Sequence, residues 1–599
     1  MERTITHCLL DALKRPETHV AVQFKSGQNW LRWSWRDFYR EVESLAGFLH
    51  QKGIRRGDRI ALFSSTRVEW LIADMAIMGL GAVTVPIYTS NREEDIEYIL
   101  NDSQCKMILA ENRELVSRFQ NVAEQCPQVK EILVFTDHSS DEENITGWKE
   151  AIISGRRFAQ EETDFLMAAI HGNRLNQLAT IIYTSGTTGR PKGVVLTHTQ
   201  IMSEVKDIFQ MIGVDHRDGS LTFLPYAHIL GRVEGWGALY AGFTLSFAEN
   251  LEKLRKNLQE VRPTILIGVP RVFEKIYNGI RTQVEAHPLR HRLFNWAVGT
   301  GKRVSSSRLH RQPLSSLDLA QFVAAKQLVF APLKEKLGGR LRFALSGGAP
   351  LSREIAEFFH AADILLLEGY GLTETTAAVT VNTPMAYCFG TVGKAFGDVE
   401  VKIAEDGEVL VKSQKVMTEY YNNHEATKAA FTEGGFFRTG DIGEFNDEGF
   451  LRITDRKKDL IKTAGGKYVA PQKLENLLKL NKYVSQVLIH GDRRKYIVAL
   501  VTLNPENIED FAQQYSVSYS DVPSLTQHPR VKELIRDAIA DVNSQLSSFE
   551  TIKNFAVLPH DFTVESGELT PSLKVRRRFC DEKFKDVLDR LYGVDGSVL

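Results

Sequence analysis

The sequence predicts an α/β protein with a large N-terminal domain and a smaller C-terminal one. Three observations carry this. Between residues 58 and 110, short apolar runs alternate with helical spacings, the βαβ pattern of a parallel sheet covered by helices on both faces. The apolar runs Ala179–Ile182, Leu341–Leu345 and Ile364–Leu367 each lead into a glycine-bearing turn. Such turns are where α/β sheets bind ligands. Finally, 599 residues are too many for one core, so two or more domains follow.

Taken in order, residues 18–50 read as a strand pair and a helix, with Phe38, Val42, Leu45, Ala46 and Leu49 at helical spacing. Trp30, Trp33 and Trp35 are assigned to core rather than to a binding face. Strands are expected at Arg59–Phe63, Ala82–Ile87 and Met107–Ala110, and helices at Arg67–Gly79 and Ile96–Asn101. Residues 139–165 are polar and acidic and read as a surface connection. Ile201, Val205, Ile208, Phe209 and Ile212 mark an amphipathic helix. Residues 271–342 hold fourteen Lys/Arg against four Asp/Glu, interleaved with Leu, Phe and Trp296. This basic insertion has two readings, a solvated helical face or a surface that lies on anionic lipid. Beyond residue 456 the pattern is a smaller α/β unit. A helix follows Pro471, strands span Val484–His490 and Tyr496–Leu503, and a further helix spans Val531–Leu546.

The chemistry centres on Tyr183 to Gly193, YTSGTTGRPKG. Its glycines let backbone N–H groups converge on a ligand, and its hydroxyls add donors. Lys192 adds a point charge, so the loop suits a polyphosphate. It is not a Walker loop, because Lys192 is followed by Gly193 and no glycine directly precedes it. The whole string resembles the phosphate-binding signature of the adenylate-forming superfamily, which includes acyl-CoA synthetases, luciferases and peptide-synthetase adenylation domains. Further matches are GLGAVTVPIYTSNREEDIEYILNDS, SGGAP at Ser346–Pro350, EGYGLTET at Glu368–Thr375, FRTGDIG at Phe437–Gly443, TDRKKD at Thr454–Asp459 and GELTPSLK ending at Lys574. The resemblance covers roughly residues 25–580. VPRVFEKIY and LGGRLRFALSGGAPL, at the ends of the insertion, look like long-chain fatty acyl-CoA synthetases. So does Pro571-Ser572-Leu573 before Lys574, where many relatives have Thr and Gly. Two departures put local loops in doubt: Val392–Gly397 lacks a common proline, and Lys412-Ser413-Gln414 replaces a Gly-Pro turn.

That resemblance implies an N-terminal adenylation domain over 1–455, parallel-rich with a β-barrel-like part, and a mobile C-terminal domain over 456–599 hinged at Asp455. It implies ATP and AMP contacts from Thr184, Ser185, Gly186, Thr187, Thr188, Gly189, Lys192, Gly347, Gly348, Glu368, Gly369, Tyr370, Gly371, Asp441 and Arg456. Thr373 would reach the α-phosphate, Thr184 and Glu374 would hold Mg²⁺, and Lys574 would be the catalytic lysine. Tyr226, His228 and Trp236 would line the acyl pocket, although core packing explains His228 and Trp236 as well. Lys462, Gly465, Gly466 and Lys467 would face coenzyme A. The implied reaction is ATP-dependent activation of a fatty acid to acyl-AMP, then thioester formation with CoA. Loading of a carrier-protein phosphopantetheine and amino-acid adenylation are alternatives. A non-catalytic lipid- or nucleotide-binding relative is another, but one expected to lack Lys574, Glu374 or Asp441, all of which are present.

Composition sets the bounds. A net charge of −1 gives no basic field for nucleic acid. Five scattered cysteines without a CxxC pair point to a reducing compartment, with neither a zinc site nor a disulfide framework. No signal peptide stands at Met1–Leu10, and Ala76–Tyr88 is too short to span a bilayer. The expectation is a cytoplasmic protein, with peripheral membrane contact and oligomerisation both compatible.

Overall fold

The computed structural model describes residues 3–136, 144–184, 190–285, 287–310, 312–570 and 574–593. Its first large sheet has seven strands, in the order Ile145–Gly147, Glu131–Val134, Cys105–Ala110, Arg59–Phe63, Val83–Ile87, Leu178–Thr184 and Lys192–Thr197. Every pair is parallel except the last, an antiparallel pair in which Thr184 lies opposite Lys192. The βαβ reading therefore holds, and Thr184 and Lys192, which flank residues 185–189, are the last pair of this final hairpin. The strands are near-continuous apolar runs because helices cover both faces.

The second large sheet has nine strands. Its middle is the parallel run Thr244–Phe247, Gly219–Thr222, Ile265–Gly268, Phe343–Ser346 and Leu366–Leu372. Val20–Ser26 and Asn29–Ser34 form the expected antiparallel pair at one edge, and Trp35 beyond them is buried. On the other side Ala377–Val381 runs antiparallel to Leu366–Leu372, and Lys394–Ala395 pairs antiparallel with it to form that edge. There Gly371 permits close approach: a Cβ on it would lie 1.4 Å from the Ala377 carbonyl oxygen. The part expected to be barrel-like is a four-stranded antiparallel sheet, Glu400–Ile403, Glu408–Lys412, Phe437–Phe445 and Leu451–Arg456. Its end strands are not paired with each other, so it is open and packs Val409 and Val411 onto the main core.

One expectation fails. Residues 139–165 are not a bare surface connection. Residues 137–143 lie outside the described ones, but Ile145–Gly147 is a strand and Trp148–Glu161 a helix. This helix lies against the helix Trp35–Gln51 with almost no gap, since a Cβ on Gly155 would be 1.8 Å from the Ser44 carbonyl oxygen. The buried Ala151, Ile152 and Gly155 have helical spacing, but small residues dilute the hydrophobic signal that marks a helix.

The basic insertion is helical, with Pro270–Glu285, Pro288–Leu309, Ser316–Ala325 and Ala331–Lys336. Phe294, Ala297, Val304, Phe322 and Phe330 seat it on a second core with Phe358 and Phe359. Asp363 ties its cations down, within reach of Arg308 (3.2 Å), Lys326 (3.0 Å) and Lys334 (2.7 Å). The small C-terminal unit is a three-stranded sheet, Val484–His490, Ile497–Leu503 and Ile552–Val557, with the helices Pro471–Lys479 and Pro529–Asn543. Its cores draw only on residues 461–591. It docks on the insertion, where Arg271 donates to the Ser485 hydroxyl at 3.2 Å and the Thr282 hydroxyl to Asn507 at 3.3 Å.

Candidate active site

The cleft is built where the ends of both large sheets meet the small unit. Leu366–Leu372 ends in a turn of 3₁₀ helix, Thr373–Thr375, which presents Glu374. One Glu374 carboxylate oxygen accepts the Tyr420 hydroxyl at 2.8 Å, and the Glu374 carbonyl accepts the Met417 N–H at 2.7 Å. Lys192 holds its ammonium 4.9 Å from the centre of the Tyr420 ring. Tyr420 thus joins the strand leaving the glycine loop to the Glu374 turn.

Asp441 lies in Phe437–Phe445 and is buried. It accepts the Tyr370 hydroxyl at 2.7 Å and pairs with Arg456 Nε at 3.0 Å. Burial and the Asp441 charge hold the Tyr370 phenol well above its ordinary pKa, so it stays a donor. Asp455 is buried beside Arg456, and its carboxyl is pushed up to about 7 by that burial.

Lys574 enters from the small unit, where its carbonyl accepts the Thr570 N–H at 2.8 Å. Its position is read from the charges that act on it. Burial and then Arg456 lower its ammonium to about 8, while Asp441 and Glu374 pull the other way. The residue is exposed by surface area. Water still reaches the side chain and screens these charges. Burial and the Lys574 charge lower His228 to about 4, which keeps its imidazole neutral. His228 Nδ1 accepts the Leu230 N–H at 3.2 Å and caps the helix Ile229–Ala241, which leaves Nε2–H as the ring's donor.

Other positions predicted from the sequence are placed as follows. Gly348 takes a left-handed φ of 79° in the turn after Phe343–Ser346. Gly347 lies within ordinary contact distance of Gly369, where a Cβ would stand 3.8 Å from the Gly369 carbonyl oxygen. The Glu368 carboxyl turns back to accept the Leu351 N–H at 3.0 Å, and burial pushes it to about 8. It props the Gly347–Leu351 turn. Tyr226 is fully buried. Trp236 is also fully buried, donating its indole N–H to Asp74 at 3.0 Å with the Arg232 guanidinium 4.5 Å from its ring centre. Lys462 and Lys467 lie on the hairpin Ile461–Lys462/Tyr468–Val469 of the small unit, exposed, with Gly466 at φ 75°. Ser185, Gly186, Thr187, Thr188 and Gly189 lie outside the described residues. Thr184 and Lys192, which flank them, pair across the hairpin.

The donor set fits Mg²⁺ bound with a nucleotide. Among the described residues no cluster of three His, Cys, Asp or Glu side chains could hold a metal. Glu374 offers one carboxylate and Thr184 a hydroxyl, both hard oxygen donors. Mg²⁺ commonly binds through one or two carboxylates plus substrate phosphates.

The AMP-binding enzyme family matches residues 10–421, and the AMP-binding enzyme C-terminal domain matches residues 458–595. The chain belongs to the AMP-binding enzymes. It is similar to the long-chain-fatty-acid–CoA ligase FadD15 of Mycobacterium bovis, at 37% identity over 556 residues, 92% of this chain and 91% of that protein. It is also similar to the peroxisomal long chain acyl-CoA synthetase 7 of Arabidopsis thaliana, at 31% identity over 92% of this chain and 80% of that one. The fold matches the adenylation domain of a carboxylate reductase from Mycobacterium chelonae, with TM-score 0.76 at 24% identity, covering 98% of this chain and 91% of that one. It matches also the A domain of a carboxylic acid reductase from Segniliparus rugosus, in complex with AMP and a co-purified carboxylic acid. That TM-score is 0.74 at 22% identity, covering 98% of this chain and 94% of that one.

In this AMP-binding enzyme Tyr370, Asp441 and Arg456 are joined by direct contacts and Glu374 is joined to Tyr420, while the charges of Arg456, Asp441 and Glu374 act on Lys574 and that of Lys574 on His228. The hairpin with Lys462 and Lys467 stands elsewhere on the small unit. Sequence reasoning missed Tyr420. It sits in the run Val416–Asn423, which has no turn signature or periodicity, and its contact to Glu374 exists only after folding.

Proposed function

We propose that this chain is an AMP-forming long-chain fatty acid–CoA ligase. It joins a fatty acid to ATP, releasing pyrophosphate, and then transfers the acyl group to CoA, releasing AMP. One observation carries the reading: Asp441, buried in its strand, is held by the Tyr370 hydroxyl and Arg456, and the charges of Asp441, Arg456 and Glu374 all act on Lys574 from the small unit.

The first step brings a carboxylate to an anionic α-phosphorus. The protein's task is therefore positioning and charge neutralisation. Asp441 accepts hydrogen bonds from the ribose diol, and Arg456 and Tyr370 hold Asp441 in place. Thr373 reaches the α-phosphate. Lys574 spans the fatty carboxylate and the phosphate oxygens, and His228 can donate its Nε2–H to the carboxylate. Mg²⁺, held by Glu374 and Thr184, would supply Lewis-acid neutralisation of the phosphates. The carboxylate oxygen attacks the α-phosphorus, and the bond to the bridging oxygen breaks with pyrophosphate as leaving group. A thiolate then displaces AMP from the acyl carbon.

For that second step the unit beyond residue 455 turns about Asp455, withdrawing Lys574 and bringing Lys462 and the Gly465–Lys467 turn to the acyl adenylate. The acyl chain lies along Ile229–Ala241 from His228 toward Trp236. That separation is about 12 Å of helix, so a long chain must extend beyond Trp236. The Trp236 indole must leave Asp74 for the chain to pass. The test is pyrophosphate release over a panel of short- to long-chain acids, with and without CoA. AMP formation with no acid in the panel would end the reading, and thioester formation only on a carrier protein would reassign the thiol.

We also propose that the insertion rests on anionic lipid. It exposes Leu289 (80%), Leu317 (67%) and Leu328 (62%), with Arg290 and Arg292 exposed beside Leu289. Each near-surface cation contributes about 1 kcal/mol on such a surface. In vesicle flotation, binding is expected to anionic but not neutral vesicles, and Leu289→Glu with Leu317→Glu is expected to abolish it. Equal flotation with both lipids would reject the proposal. No described helix is long and apolar enough to cross a membrane.

A further inference from the structure

Directly after Glu374 the backbone does something that L-residues rarely do. Thr376 (φ 56°) and Ala377 (φ 84°) both adopt left-handed conformations in succession, and neither is glycine. Such positions cost on the order of 1–3 kcal/mol each and persist only where the surroundings impose them. Here the surroundings are a buried ion pair that no step of the reaction uses.

Glu204, on the helix His198–Met211, and Lys415 are both fully buried. The Lys415 ammonium stands 3.2 Å from a Glu204 carboxylate oxygen and 3.4 Å from Asp207, and 3.6 Å from the centre of the Phe396 ring. Its alignment makes a hydrogen bond to neither carboxylate, so the contact is electrostatic. The other Glu204 oxygen accepts the Ala378 N–H at 3.0 Å. The Lys415 carbonyl accepts the Thr376 hydroxyl at 2.6 Å. The pair therefore grips the strained turn from both sides.

The segment starting at Lys415 continues the grip. The Gln200 side chain donates to the Val416 carbonyl at 3.2 Å, Met417 N–H meets the Glu374 carbonyl, and the Tyr420 hydroxyl meets the Glu374 carboxylate. The Glu419 carbonyl accepts Val195 N–H at 3.1 Å, and Tyr421 N–H reaches the Gly193 carbonyl at 2.7 Å, on the strand leaving the glycine loop. A buried pair of this kind gives little net stability against well-packed apolar residues, so its use lies in what it orients.

We propose that Glu204 and Lys415 are positioning residues for Glu374: by clamping the Thr376–Ala377 turn to the 415–421 segment, they fix the Glu374 carboxylate relative to Lys192 and the strand Lys192–Thr197. This rests on Glu374 serving Mg²⁺–ATP. The first variant is Glu204→Leu with Lys415→Met, which removes the ion pair and the Glu204 bond to Ala378, keeps the main-chain bond to Thr376, and leaves Asp207, partly open to water, without its ammonium. ATP affinity is measured calorimetrically without fatty acid, once with Mg²⁺ and once with EDTA. The double variant should lose about tenfold in affinity for Mg²⁺–ATP, the factor that about 1.4 kcal/mol produces. Metal-free ATP affinity and the fatty acid KM should stay near wild type. Glu204→Gln keeps an oxygen for the Ala378 N–H but gives up the one facing Lys415, and should lose less than the double variant. Thr376→Val, nearly isosteric, removes only the bond to the Lys415 carbonyl and should lose about threefold, the value of one ordinary hydrogen bond, whether or not the double variant folds. The proposal is overturned if Thr376→Val leaves Mg²⁺–ATP affinity unchanged, or if metal-free ATP weakens equally. Glu374→Gln is the control. If it leaves the Mg²⁺ dependence unchanged, the reading of Glu374 itself falls; if it removes that dependence and the clamp variants do not, only the clamp falls.

Discussion

Lys574→Ala is expected to lower pyrophosphate-forming turnover by about 10²–10³-fold, the loss typical for removing one preorganised stabiliser of developing charge. ATP binding should change only a few-fold, because Tyr370, Asp441 and Arg456 remain. The wild-type rate should also carry the lysine's titration. Burial and Arg456 lower the ammonium to about 8, so the charged form dominates below that pH and is lost as pH rises through it. Adenylation should therefore fall on the alkaline side of pH 8. His228, lowered to about 4, stays neutral throughout the working range and adds no acid limb near neutrality. Lys574→Arg, whose charge persists to high pH, should move the alkaline limb upward even if its rate is lower. Pyrophosphate exchange measured across pH decides this. Exchange in Lys574→Ala close to the wild-type rate would remove the lysine from the mechanism.

Asp441→Ala should raise the ATP KM by about tenfold to a hundredfold, the range for breaking a charged hydrogen-bonded contact at a binding site. The change removes three things at once: the acceptor for ribose, the partner of Arg456 at 3.0 Å, and the acceptor for the Tyr370 hydroxyl at 2.7 Å. A fold cost of about 1–2 kcal/mol should accompany it, less than for a fully buried pair because the Arg456 side chain is partly open to water. Asp441→Asn, which retains one acceptor, should recover most of the melting temperature but less of the ATP affinity. Equilibrium ATP binding and thermal unfolding separate the two effects. Unchanged ATP affinity in Asp441→Ala would contradict the ribose role.

What can be read along the chain without folding it is what depends on near neighbours. The βαβ run from Arg59 to Ala110, the hairpin Leu178–Thr184/Lys192–Thr197 and the glycine turns after Phe343–Ser346 and within Leu366–Leu372 all follow from periodicity and turn chemistry over a few residues. Those same local strings carry Lys192, Glu374, Asp441 and Arg456, because each sits on a turn or strand end whose sequence is itself distinctive. Tertiary structure decided the rest. Tyr420 meets Glu374, Lys415 meets Glu204, and Trp236 meets Asp74 only after distant segments pack. The helix Trp148–Glu161 was hidden because its buried face is built from small residues whose value lies in how close a neighbouring helix can come. Glu368 braces the Gly347–Leu351 turn through the Leu351 N–H, a contact that spacing along the chain does not show. The reason is general: spacing along a chain sets which way a side chain faces, but burial and partner are set by what the fold brings opposite it.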